Sequence, residues 1–144
     1  MDASERVFLK DGVKYMRFEE GEKLFSEGDR GTEMYVIITG KIKITLIRDG
    51  EDFELSTLAP GSFFGEMSLL EYEPRSANAY CVEPAILMVI DQDSFEKVMQ
   101  KNPQLVYKIM KSLSGRLRDS NKKLYKYKKD FEDQVSASIN KSRE

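Results

Sequence analysis

The sequence predicts an α+β protein, an antiparallel β-sandwich or jelly roll followed by a long C-terminal helix. Three observations carry that expectation. Residues 41–90 hold short stretches of alternating apolar and polar residues separated by turn dipeptides, the last third changes to helical periodicity, and that helical pattern is longer than one small sandwich can cover. With 144 residues, 40% hydrophobic and 33% charged, the chain has ordinary globular usage and room for one small core, not for a second full domain. The expected order is a lead-in over residues 1–14, a β-roll over 15–101, a helix over 102–136 that pairs with a second copy, and a flexible tail over 137–144.

In residues 41–48, Ile42, Ile44 and Leu46 alternate with Lys41, Lys43 and Thr45, the period of a half-buried strand. Asp49-Gly50 tolerates the positive φ of a type I′ turn and closes a hairpin, after which Phe53, Leu55 and Thr57 resume the alternation until Pro60-Gly61 ends it. The run after Gly65 has the makings of a short helix, and Asn78 to Val82 and Ala85 to Ile90 read as two further strands split by Glu83-Pro84. Asp93 with Glu96 three residues later forms a capping-box signature for a helix that places Phe95, Val98 and Met99 on one face. Asn102 then stops that helix and caps the next, with Pro103 in its first turn. Periodicity carries this last helix to about Val135; Gly115 costs about 1 kcal/mol inside it without forbidding it.

Met110, Leu113, Leu117, Ser120, Leu124, Tyr127 and Phe131 recur along that helix at alternating spacings of three and four, the pattern of a coiled-coil seam. At about 1.5 Å per residue the helix runs about 50 Å, so a homodimer partner is expected to bury what its own sheet does not. The competing expectation is a helix folded back on its own sheet and fraying after Leu124. Ser120 at a seam position either sets register or meets a polar group.

Composition excludes several classes of function. The chain has no histidine, which removes the commonest metal ligand and the commonest general base and argues against a metal-dependent jelly-roll enzyme. The single cysteine, Cys81, permits no intrachain disulfide; a buried, inert thiol in a reducing compartment is the expectation. No apolar run approaches the ~20 residues needed to span a bilayer, and the N-terminus lacks a signal-peptide pattern, so a soluble cytoplasmic protein with no membrane partner is expected. Lys122, Lys123, Lys126, Lys128 and Lys129 form a basic stretch, but Asp119, Asp130, Glu132 and Asp133 border it and the net charge is −2, which fits the solvated exterior of a coiled coil.

The segment Phe64-Gly65-Glu66-Met67-Ser68-Leu69-Leu70, followed by Pro74-Arg75-Ser76-Ala77, combines three devices for one ligand. Gly65 lets the backbone approach closely, and the first amides of a helix begun after it attract an anion. Arg75 supplies a planar fork of donors suited to phosphate oxygens. An ionised Glu66 only accepts hydrogen bonds and repels an anion, so its partner is a hydroxyl. A ribose hydroxyl beside a phosphate meets both demands; an internal Glu66–Arg75 salt bridge is the bland alternative.

This stretch resembles the phosphate-binding cassette of cyclic nucleotide-binding domains. Leu24-Phe25-Ser26-Glu27-Gly28-Asp29 and Met34-Tyr35-Val36-Ile37-Ile38-Thr39-Gly40-Lys41-Ile42 look like the family's opening strands and glycine turns, and the resemblance covers residues 15–121. It implies that the amides of Gly65, Glu66 and Ser68 with the side chains of Arg75 and Ser76 hold a cyclic phosphate, and that Glu66 takes the ribose 2′-hydroxyl. It further implies that Ile42, Leu55 and Ser56 flank sugar and base, with Phe64, Met67 and Ala77 completing the set; plain core packing is the alternative for Ile42 and Leu55. Ser120 and Asn121 fall on positions where relatives contact the base from a dimerisation helix.

The resemblance leads to the expectation of a receptor or regulatory protein, not an enzyme, with cyclic AMP favoured over cyclic GMP as ligand and no metal. Ligand capture is expected to move the segment from Phe63 to Leu70, repack Met67, Leu69 and Leu70 against the helix near Asp93, and so shift the C-terminal helices toward an unknown effector protein. Only 23 residues follow Asn121, too few for a helix-turn-helix, so sequence-specific DNA binding by this chain alone is not expected. A nucleotide-free scaffold acting through the helical tail is the alternative function, and a nucleic-acid-binding accessory using the lysine stretch is a second.

Overall fold

In the computed structural model, which describes residues 2–142, the chain begins with a helical turn, α1 (Ala3–Arg6), and a hairpin of β1 (Val7–Lys10) and β2 (Val13–Phe18). The hairpin turns through Asp11 and Gly12 at φ 53° and 77°, the pair of positive angles a type I′ turn requires. Part of the expected lead-in is therefore sheet, with Val7 opposite Met16 and Lys10 opposite Val13. There follow β3 (Lys23–Phe25), β4 (Met34–Arg48), β5 (Glu51–Leu58), β6 (Phe63–Phe64), α2 (Glu66–Glu71), β7 (Asn78–Ile90), α3 (Gln92–Lys101) and α4 (Pro103–Ser142). The chain divides into two compact units after Pro103.

Strands β4 and β7 form the spine of the first unit. They pair antiparallel from Met34 opposite Ile90 to Thr45 opposite Asn78. Along its outer edge β7 takes β3 at Ala79 and Tyr80 and β2 from Ala85 to Met88. Strand β4 takes β6 at Tyr35 and Val36 and β5 from Ile42 onward. Each long strand thus serves two short ones, and every pairing is antiparallel.

Three sequence expectations are corrected here. Glu83-Pro84 does not split β7, because the register with β4 shifts between Ile37 and Ile42 and a proline inside an irregular stretch interrupts no regular ladder bond. Gly40, at φ 88°, makes that bend possible: a Cβ there would lie 2.3 Å from the Pro84 carbonyl oxygen. The cap of α3 is Asp91, not Asp93; its carboxylate accepts from the Ser94 amide at 2.8 Å while the Ser94 hydroxyl accepts from the Asp91 amide, and Asp93 lies in the first turn. Finally, β5 is exposed on both faces up to Leu58, since it is an edge strand whose ladder skips Leu55 between Ser56 and Glu54.

Phe18, Tyr35, Ile37, Ile42, Phe64, Ala79, Cys81, Ala85, Leu87 and Val89 pack into one core cluster, with Ile44, Leu24 and Phe25 against it. Burying a side chain such as Leu87 contributes about 1.5–3 kcal/mol, so the spine strands supply most of the apolar stabilisation. Cys81 lies in this core as expected. Its thiol donates toward the Glu83 carbonyl at 2.9 Å, and burial pushes its pKa up, which keeps it protonated and unreactive.

The second unit is α4. It continues to Ser142, past the sequence-based end near Val135 and through most of the expected tail; residues 143 and 144 lie outside the described residues. Leu117, Leu124, Tyr127 and Phe131 of the seam are exposed on it, as are Val135 and Ile139 beyond.

Candidate functional site

Gly65 is the pivot of the site. It caps α2 from the left-handed region, at φ 81°, so that the backbone turns sharply out of β6 and presents the first amides of α2, which lie outside the intrahelical ladder. A side chain at Gly65 would be strained by that φ and would also meet Arg75 Nη1 at 2.7 Å and the Glu33 carbonyl oxygen at 3.0 Å. The glycine is therefore required twice, by the turn and by the arginine.

Phe64, just before it, is anchored through its register opposite Tyr35. The two rings stack at 5.2 Å, and Phe25 lies 6.0 Å from Phe64 and 6.3 Å from Tyr35. On this aromatic floor lies Arg75, only 5% exposed, with Cζ 4.4 Å from the Phe25 ring centre and 5.6 Å from that of Tyr35. Its Nη1 donates to the carbonyl of Glu33 at 2.7 Å and to that of Gly65 at 3.2 Å. A guanidinium has five N–H donors, and the two bonds from Nη1 fix the orientation of the group. The main chain is pinned as well: the Gly28 amide donates to the Arg75 carbonyl at 2.8 Å, and the Arg75 amide donates to that of Asp29 at 2.9 Å.

Glu33 supports the same corner from behind. Its carboxylate accepts from the Tyr35 hydroxyl at 3.2 Å and from Lys14 at 3.5 Å. Burial first, and then the neighbouring Glu33 charge, push the Tyr35 phenol up to about 12, so it remains a neutral donor. The result is a buried cation on backbone carbonyls and ring faces at the start of β7, beside a helix whose open end favours negative charge.

The remaining expected residues are distributed unevenly around it. Ser68 and Leu69 of α2 and Ala77 are buried, Glu66 is half-buried, and Met67, Leu70 and Ser76 are exposed. Ile42 is fully buried opposite Leu58 and Cys81. Ser56 pairs with Ile44, and Leu55, the bulged residue, is 52% exposed. Ser120 and Asn121 are exposed neighbours on α4, where Asn121 shares a surface groove with Leu117 and Tyr125.

Sequence reasoning missed the groups that hold Arg75: Phe25, Gly31, Glu33 and Tyr35. The glycine spacing Gly28-Asp29-Arg30-Gly31 was the available signal. Ile44, on the apolar face that the alternation predicts, lies partly buried opposite Ser56 and Ala79. The cassette is also tied to α3. Gln92, the first residue of α3, donates from Nε2 to the Leu69 carbonyl and accepts from the Tyr72 hydroxyl at 3.4 Å. Tyr72 itself closes α2 in the left-handed region at φ 59°. Among the described residues no cluster of three His, Cys, Asp or Glu could hold a metal, and no helix is long and apolar enough to cross a membrane.

Comparison with known proteins bears directly on this geometry. A family model described as the cyclic nucleotide-binding domain matches residues 15–102. The chain is 31% identical over 108 residues to the cyclic AMP receptor protein of Thermus thermophilus, covering 74% of this chain and 50% of that protein. It is 30% identical over 96 residues to the cAMP-dependent protein kinase type II regulatory subunit of Drosophila melanogaster, covering 66% of this chain and 26% of that one. The crystal structure of the Thermus thermophilus catabolite activator protein superposes with a TM-score of 0.70 at 29% identity, covering 78% of this chain and 53% of that one. The chain spans half the length or less of these curated relatives.

Proposed function

Because the chain belongs to the cyclic nucleotide-binding domain family, we propose that it is a cyclic nucleotide receptor that converts ligand binding into a shift of its C-terminal helices toward an effector protein. One observation carries this reading: a buried arginine with Nη1 fixed on the carbonyls of Glu33 and Gly65, next to the first turn of α2. In this proposal Arg75, the Ser76 hydroxyl and the amides of Gly65, Glu66 and Ser68 hold the cyclic phosphate. The Glu66 carboxylate accepts from the ribose 2′-hydroxyl, while Ile42, Leu55 and Ser56 border sugar and base, and Phe64, Met67 and Ala77 line the site. No group among them forms a nucleophile–base pair, which supports binding in place of catalysis.

Cyclic AMP is favoured over cyclic GMP, and the relatives whose names contain cyclic AMP support that order. Discrimination rests on one or two hydrogen bonds at about 1 kcal/mol each, hence a preference of roughly tenfold. Ser120 and Asn121 are assigned to the base, across a homodimer joined by the seam of α4. The bonds from Gln92 to Leu69 and Tyr72 support a route by which a displaced α2 moves the start of α3. Isothermal titration with cyclic AMP and cyclic GMP tests the receptor. Saturable binding with cyclic AMP tighter supports it, whereas heat-silent, ligand-indifferent protein leaves the nucleotide-free scaffold instead.

A further inference from the structure

Seven glycines of this chain adopt positive φ, and Gly31 is not one of them. Nothing in its backbone conformation calls for glycine. Its surroundings do: a Cβ there would lie 2.5 Å from both Nε and Nη2 of Arg75 and 2.6 Å from Cζ. Near-equal approach to Nε, Nη2 and Cζ puts that point out of the guanidinium plane, above its Nε–Nη2 edge. The guanidinium is therefore held against the Gly31 backbone as well as the Phe25 ring, at a distance no side chain would permit.

Gly31 belongs to a loop that grips the same arginine at four further points. The Gly28 amide and the Asp29 carbonyl bond its main chain, and the Glu33 carbonyl and the Phe25 ring hold its side chain. The loop is itself braced. Ser26 and Asp29 exchange a turn, with the Ser26 amide on the Asp29 carboxylate at 2.9 Å, and the Glu27 amide donates to Asn78 Oδ1 at 2.8 Å, three residues beyond Arg75.

We propose that Gly31 is a positioning residue for anion capture: by lacking a side chain it lets the Arg75 guanidinium lie flat in the loop, with Nη1 on the carbonyls of Glu33 and Gly65 and the other nitrogens turned to the phosphate. The consequence for affinity rests on the receptor reading; the contact itself does not. A methyl group at Gly31 displaces the guanidinium, breaks the Nη1 bonds and removes the fork from register.

The test is a cycle of Gly31→Ala, Arg75→Ala and the double variant in the full chain. Gly31→Ala lowers the midpoint of thermal unfolding by about 4 °C or more in the wild-type background and far less in the Arg75→Ala background, where the methyl enters space the side chain has left. Equal losses in both backgrounds, or none in either, overturn the proposal. If Gly31→Ala alone fails to fold, recovery of folding in the double variant supports the contact and continued failure overturns it. In nuclear magnetic resonance Gly31→Ala shifts the Arg75 Nε–H signal; an unchanged signal overturns the proposal. Cyclic AMP titration of the folded variant shows affinity down by about tenfold, in line with a misaligned charged fork, and unchanged affinity sinks the positioning role. A wild-type protein that binds no cyclic nucleotide refutes the receptor instead, while the thermal cycle and the resonance still decide the Gly31–Arg75 contact.

Discussion

Removing the Arg75 side chain is the sharpest perturbation available. Two of its five donors hold backbone carbonyls, so in the proposed receptor the fork would reach the ligand already oriented and lose little freedom on binding. With Nε and Nη2 on phosphate oxygens, two charge-assisted hydrogen bonds of about 1.5–3 kcal/mol each form in a site where the group is 5% exposed. Water entering the vacated space recovers part of that, which leaves a net loss of about 3 kcal/mol, near a hundredfold in Kd. Arg75→Lys keeps the charge but not the fork, so its loss is intermediate, about tenfold. Calorimetric titration with cyclic AMP measures both. Thermal melts must accompany it, because the carbonyls of Glu33 and Gly65 lose their donor and stability falls by about 1–3 kcal/mol. An Arg75→Ala protein that remains folded and binds within about twofold of wild type, well inside the 1.4 kcal/mol that marks a tenfold change, refutes the reasoning.

Three other outcomes are expected. Gly40→Ala forces a Cβ to 2.3 Å from the Pro84 carbonyl oxygen at φ 88°, so denaturant unfolding should show a loss of about 3 kcal/mol or more; a loss below 1 kcal/mol contradicts the tight crossing of β4 and β7. Leu124→Glu places a charge on the exposed seam of α4; wild type should sediment as a dimer and the variant as a monomer, and identical sedimentation removes the seam from the account. Arg48 holds Glu27, and Arg6 holds Glu22, below the ordinary carboxylate value of 4.5. Because the folded pKa lies below the unfolded one, this stabilisation is complete above that value and fades as pH drops through the folded pKa. Melting temperature should therefore decline on acidification below about pH 4.5, and less steeply in Arg48→Ala; parallel acid limbs would contradict the pairing.

What the sequence made legible was local chemistry. Asp49-Gly50 predicted its hairpin because φ of 54° and 77° is what that dipeptide tolerates, and Gly65 predicted a turn into a short helix because few other residues permit one. The same dipeptide at Asp11-Gly12 turns the first hairpin, inside a stretch expected to be only a lead-in. What stayed illegible depended on partners distant in the chain. Pro84 reads as a strand breaker until Gly40 is seen to bend against it. Phe53 and Leu55 read as half-buried until β5 proves to be an edge. Arg75 itself stood out as the candidate anion-binding group, yet Phe25, Gly31, Glu33 and Tyr35, which hold it, lie 40 to 50 positions upstream, where no periodicity points to them.

The shared spine decides which parts of the protein are free to respond. Neither half of the roll owns its long strands, so melting one half pulls apart the other, and the frame opens all at once or not at all. Only pieces hung on its margins can yield singly, among them the Ser26–Gly31 loop and the turn of helix after Gly65. Those two close on the same guanidinium from opposite directions in sequence. In the proposed receptor, an anion drawn to that guanidinium would act on these margins first, and the Gln92 bonds to Leu69 and Tyr72 are where α3 would feel it.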